Sequence, residues 1–227
     1  MKIATARCFT LNSQINYLLT PSDQKIVGDF LKYMVLVTAL ILFTLLSIAA
    51  DVLVFNNSIG EVSVTEISQG VLLFFTASRY FMAATKNAQY HNVFVLLGSF
   101  FLVLLIREND YWFDHISHGV WVYPALIVLL FSWIHFFKDF KSNLHQSISL
   151  LCNPNMYFLV TSMLMLIVFT RLIGVGDFWK SVMSDNYVRL VKNICEEGGE
   201  LLCYYLIALY SYLLTKKDSK SLKSLCS

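Results

Sequence analysis

Charge is scarce in this chain: only 14% of its 227 residues are Asp, Glu, Lys or Arg, against roughly a quarter in an ordinary soluble domain. Proline is rarer still, with three residues, and glycine contributes nine. These shortages exclude a collagen-like or Pro/Gly-rich disordered chain, and the low charge argues against a soluble enzyme. The five cysteines, Cys8, Cys152, Cys195, Cys203 and Cys226, are odd in number and scattered, with no C-x-x-C among them. Neither a disulfide scaffold nor a metal finger is indicated, and they read as free thiols filling apolar space. There is no G-x-S-x-G, no Walker-type phosphate loop, no dinucleotide glycine pattern and no H-E-x-x-H. The net charge of +2 offers no basic face with interleaved aromatics, so no nucleic-acid partner is expected.

What the chain has is apolar length. Hydrophobic residues make up 57% of it and the mean hydropathy is +0.61. Uninterrupted apolar stretches predict spans at residues 31–55, 64–85, 92–112, 119–137, 156–175 and 193–215. The expected fold is all-α: a polytopic membrane protein built as a bundle of six transmembrane helices, with lipid as its surroundings. Residues 1–30 form an N-terminal cytoplasmic or interfacial segment, 31–215 the bundle, and 216–227 a Lys/Ser-rich tail. The first apolar run is too long for a signal-peptide core and lacks a small-residue cleavage site, so it reads as an uncleaved first span. Thr20-Pro21-Ser22-Asp23 before it has the form of a helix start, with Thr20 as cap.

Basic residues set the direction. With both termini cytoplasmic, Lys2, Arg7, Lys25, Lys32, Arg79, Lys86, Lys138, Lys141, Lys216, Lys217, Lys220 and Lys223 lie inside, and only Arg107, Arg171, Lys180, Arg189 and Lys192 outside. In a bacterium that places the chain in the inner, plasma membrane. Tyr111, Trp112, Trp121, Tyr123 and Trp179 would belt the outer interface.

Two spans are short enough to draw charge inward. The apolar run 93–106 has 14 residues, about 21 Å of helix at ~1.5 Å per residue. The hydrocarbon core is roughly 30 Å thick. The helix must therefore continue through Arg107 and Glu108, and the same argument carries the fifth span through Arg171. The last span opens with a polar stripe, Arg189, Asn193, Glu197, Glu200 and Tyr204, spaced by three or four residues, with Glu196 beside it. A carboxylate at the depth of Glu200 costs roughly 3 kcal/mol on insertion scales. Gly198 and Gly199 would let another helix approach at that level. Glu66 and Gln69 open the second span at the same outer level.

Arg107 and Arg171 thus face five carboxylates, Glu66, Glu108, Glu196, Glu197 and Glu200, an excess of about three negatives that calls for protonation, a bound cation or water. The expected site is an outward-facing pocket of Glu66, Gln69, Arg107, Glu108, Arg171, Glu197, Glu200 and Tyr204, binding or transporting a cation, a proton or a polar lipid head group. His115 and His118, three residues apart beside Asp114, are candidate ligands for a divalent cation. With them the same cluster would read as an outer-leaflet hydrolase. A structural polar core in an accessory subunit is the third expectation.

Overall fold

The computed structural model describes residues 20–55, 63–115 and 117–216, and every regular element among them is helical. The chain divides into two compact units, one up to Phe43 and the other from Thr44 onward. In the first, Thr20 caps helix α1 (Pro21–Ala49). Its hydroxyl accepts from the Asp23 amide at 3.3 Å while Asp23 Oδ2 accepts from the Thr20 amide at 3.0 Å, a reciprocal box that satisfies two donors at the helix start. The surface of this stretch is apolar, with Ile26, Phe30, Leu31 and Val35 more than half exposed.

The second unit begins with the end of α1, which loosens into a π-turn at Ala50–Val54. There follow α2 (Val64–Lys86), α3 (His91–Glu108), the short α4 (Asp110–Asp114), α5 (Val122–Lys138) and α6 (Phe140–Leu151). Helix α7 (Pro154–Leu164) passes through a second π-turn at Met165–Phe169 into α8 (Thr170–Ile173). Helix α9 (Gly176–Met183) and the long α10 (Arg189–Lys216) complete the described chain.

Helix α10 packs against α2, α7 and α8, and α3 packs against α2 and α5. Helices α2 and α10 run parallel, since Gln69 meets Glu197 near their starts and Arg79 meets Thr215 near their ends. Between those levels the core is mostly apolar: Leu73, Ala77, Phe101, Leu159, Ile207 and Leu214 are buried, with Thr76, Ser99 and Ser211 as small polar members, and the Tyr80 and Phe101 rings stack at 5.5 Å. Ala77, Ala83, Ala84 and Ala208 keep the helix surfaces close.

Three helical stretches, Pro21–Val54, Ala88–Glu108 and Pro154–Ile173, are long and apolar enough to cross a membrane, and a fourth is added if α5 and α6 count as one bent span. These two meet at 102°. A helix in 140–151 is absent from the sequence reading, which treats that stretch as a connection. Its pattern explains it: Phe140, Leu144, Ile148 and Leu151 line one exposed apolar stripe, while Asn143 and Leu150 are buried on the other side. Helices α2 and α10 have 23 and 28 residues but carry charged and amide side chains along their length. The exterior is apolar and the interior partly polar. Leu53, Ile67, Val71, Ile127 and Leu172 are more than 60% exposed, whereas Asp51, Thr65, Gln69 and Glu200 are at most 3% exposed. That inversion suits a protein whose solvent is hydrocarbon.

Cys195 and Cys203 are free thiols, as expected, but Cys152 is disulfide-bonded. Sequence spacing cannot show which scattered thiols meet in space.

Asp51 ties the first π-turn to α2. Its carboxylate accepts from the Val64 amide at 2.7 Å, the Thr65 amide at 2.9 Å and the Thr65 hydroxyl at 2.6 Å. Ser63 caps the same helix by accepting from the Glu66 amide at 3.1 Å. The start of α2 thus has both its orphan N–H groups and its positive dipole end answered by a carboxylate thirteen residues earlier. Asp51→Ala is expected to destabilise the full-length protein by about 1–3 kcal/mol. Asp51→Asn, which keeps one acceptor, should fall between; denaturation in detergent would rank the three.

Candidate functional site

The polar stripe on α10 is shared among three neighbouring elements. At about 100° per residue, Tyr204 lies within about 20° of Glu197 around the helix, while Glu200 and Glu196 are turned to one side by about 60° and 100°. Each direction meets a different helix. Glu197 faces α2, where Gln69 donates Nε2 to its carboxylate at 3.1 Å and to its backbone carbonyl at 3.3 Å. Tyr204 faces α3, and its hydroxyl donates to Glu108 Oε1 at 2.8 Å. Glu200 faces α8, where Arg171 Nη2 lies 3.4 Å from Oε1 and the Thr170 hydroxyl 3.3 Å.

Two further cations complete the ion pairs. Arg107 Nη2 stands 3.8 Å from Glu108 Oε1. Lys192 Nζ holds Glu196 Oε2 at 2.6 Å, one helical turn before it, and Arg171 Nη1 stands 4.0 Å from Glu196 Oε1. The Glu200 side chain is 4% exposed and that of Arg171 46%, so the acid is interior and the base reaches it from the surface. A long side chain with an apolar stem suits that geometry.

Two glycines make the approach possible. A Cβ at Gly198 would stand 2.6 Å from Ile48 Cδ1, so the last turn of α1, within the second unit, presses on α10 at this level. A Cβ at Gly174 would run into the Glu196 carboxylate. Just beyond, Trp179 Nε1 donates to the Ile173 carbonyl at 2.6 Å, capping the end of α8 and holding its position over α10.

Glu66 has a different setting. It lines a groove of about 440 Å³ with Glu108, Asn109, Tyr111 and Trp112. Gly70 forms part of the floor. His115 and His118 stand outside the cluster. The Nδ1 of His115 lies 2.8 Å from the Tyr111 carbonyl, and that of His118 lies 2.8 Å from Asp114 Oδ2 with the His118 side chain 95% exposed. Among the described residues no group of three His, Cys, Asp or Glu is gathered to hold a metal. The i, i+3 spacing presumes a helix through both residues, whereas α4 stops at Asp114.

Lys192 and Thr170 are the site members that the sequence reading leaves unassigned. Lys192 carries a readable signal, since it precedes Glu196 by four residues on one helix. With it, three cations rather than two meet the carboxylates of Glu108, Glu196 and Glu200. Thr170 has no sequence signal beyond its place before Arg171.

No protein-family model, curated protein or solved structure matches the chain. Its chemistry has to be read from these residues.

The Arg171–Glu200 pair is asymmetric in burial, which sets an order of mutational effects. Arg171→Ala leaves an interior carboxylate unpaired and is expected to cost about 3 kcal/mol or more. Glu200→Gln leaves a half-exposed guanidinium that water can reach, and should cost less. The double variant should be milder than the sum, with a coupling of about 1–3 kcal/mol in a denaturation cycle. Equal costs and no coupling would show that the two groups do not depend on each other.

Proposed function

We propose that the chain is an integral membrane protein of six spans with both termini cytoplasmic, and that its carboxylate-rich end binds a cationic group from the outer side. Helix lengths support the count. By helical rise α2 and α10 extend roughly 35 and 42 Å, enough for a core of roughly 30 Å. Their parallel course is what the second and sixth spans of such a bundle need. The distribution of Lys and Arg supports the direction.

The observation that carries the function is a pair of carboxylates lining one groove with aromatic rings. Nearby, Glu197 is met by the Gln69 amide rather than by a positive charge. The paired acids, Glu66 and Glu108, face the groove that Tyr111 and Trp112 wall. Carboxylates beside aromatic faces are the usual surroundings of an organic ammonium or a partly dehydrated cation. The apolar belt between the two ends of α2 and α10 favours one-sided binding over conduction.

The test uses the full-length protein in phosphatidylcholine nanodiscs, titrated with choline, ethanolamine or Mg²⁺ while thermal stability is followed. One of these cations is expected to raise the unfolding midpoint saturably, with glycerol inert. Glu66→Gln/Glu108→Gln should weaken the effect roughly tenfold, the loss of about 1.4 kcal/mol. A protein indifferent to all three, or a double variant responding as the wild type does, would refute the reading.

A further inference from the structure

The other ends of α2 and α10 hold a second polar feature, with charge of the opposite sign. The helices finish at Lys86 and Lys216. A cavity of about 380 Å³ between them is lined by Arg79, Lys86, Tyr212, Thr215 and Lys216. Arg79 crosses from α2 and donates Nη2 to Thr215 Oγ1 at 3.1 Å. The Tyr212 ring carries both neighbouring cations, with Arg79 Cζ 5.0 Å and Lys216 Nζ 5.6 Å from its centroid. These contacts fix the guanidinium without neutralising it. Its Nε is buried and makes no hydrogen bond. Among the described residues no carboxylate forms an ion pair with Arg79, Lys86 or Lys216.

Three positive charges around one cavity repel each other, and a bound anion would relieve that repulsion. The two helix C-termini contribute only about −0.5 each, which leaves a balance of about +2. We infer that this cavity binds a phosphate group. A phosphomonoester carries about −1.5 to −2 at neutral pH and several acceptor oxygens. The Arg79 guanidinium and the two exposed ammonium groups that line the cavity are the donors it needs. A halide would match neither the charge nor the space. The phosphate can come from a phospholipid head group or from a free phosphate compound. In the six-span reading the cavity lies at the cytoplasmic head-group level, where basic pockets between helices take anionic lipid. The inference does not rely on the carboxylate end and survives if that end binds nothing.

Native mass spectrometry of the detergent-purified full-length protein, offered phosphatidic acid and phosphatidylcholine in equal amounts, provides the test. Phosphatidic acid should be retained roughly tenfold or more over phosphatidylcholine. Lys86→Gln/Lys216→Gln should abolish the preference. Both lysines are exposed at helix ends, so the fold should tolerate the change. Lys86→Arg/Lys216→Arg should restore it. Millimolar inorganic phosphate separates the sources. If it displaces the lipid and by itself raises the unfolding midpoint, the cavity takes free phosphate; if it does neither while the lipid stays bound, the ligand is the head group. Equal retention of both lipids with no stabilisation by inorganic phosphate would overturn the inference. So would a glutamine double variant that binds phosphatidic acid as the wild type does.

Discussion

A carboxylate removed from water needs a partner, and Glu200 meets that need with a cation from another helix. It is 3% exposed and sits on a helix that touches α2, α7 and α8. Once Arg171 answers it from α8, the rotation of α10 is set. Glu197 then turns to Gln69 of α2, and Tyr204 to Glu108 of α3. An apolar exterior supplies little directional information, because one leucine against lipid resembles another. Polar contacts at one level therefore decide which face of each helix looks inward.

The stripe on the last helix was legible because three- and four-residue spacing defines a face wherever the helix lies. Arg107 and Arg171 were legible for a different reason: apolar runs too short for the bilayer draw the next charges along. That each helix continues through its arginine was thus readable. Pairing was not, since it depends on lateral helix order, and nothing in the spacing of Glu197 or Tyr204 says which neighbour each will meet. Asp51 is the clearest omission. Its partners are backbone amides thirteen residues away, and a tertiary cap of that kind leaves no pattern in the chain. Helix α6 was missed because a connection of that length with Lys141, Asn143 and His145 reads as polar until its apolar stripe is traced at four-residue steps. The histidine pair fails in the opposite direction, since a suggestive spacing falls where the helix has already ended.

The acidic and basic groups of α2 also deserve to be seen as one arrangement. Glu66 and Arg79 are separated by about 20 Å of helical rise, with Leu73, Thr76 and Ala77 buried in the interval. Each end has its own electrostatic character, and a close-packed segment without charged side chains lies between them. That division supports binding chemistry at two separate surfaces more readily than a continuous route.

The π-turns give the fold an unequal tolerance to changes in length. A π-turn holds one residue more than an α-helix would use for the same rise, and such turns are often found beside functional groups. The one at Met165–Phe169 lies directly before Thr170 and Arg171, and the one at Ala50–Val54 contains Asp51. Removing a single residue from 165–169 would let this turn close as ordinary α-helix of nearly the same rise, with Arg171 still directed at Glu200. The same deletion within an α-helical stretch would rotate everything beyond it by about 100°. The five-residue turn is therefore the place in this span where a residue can be lost and the charge pairing kept.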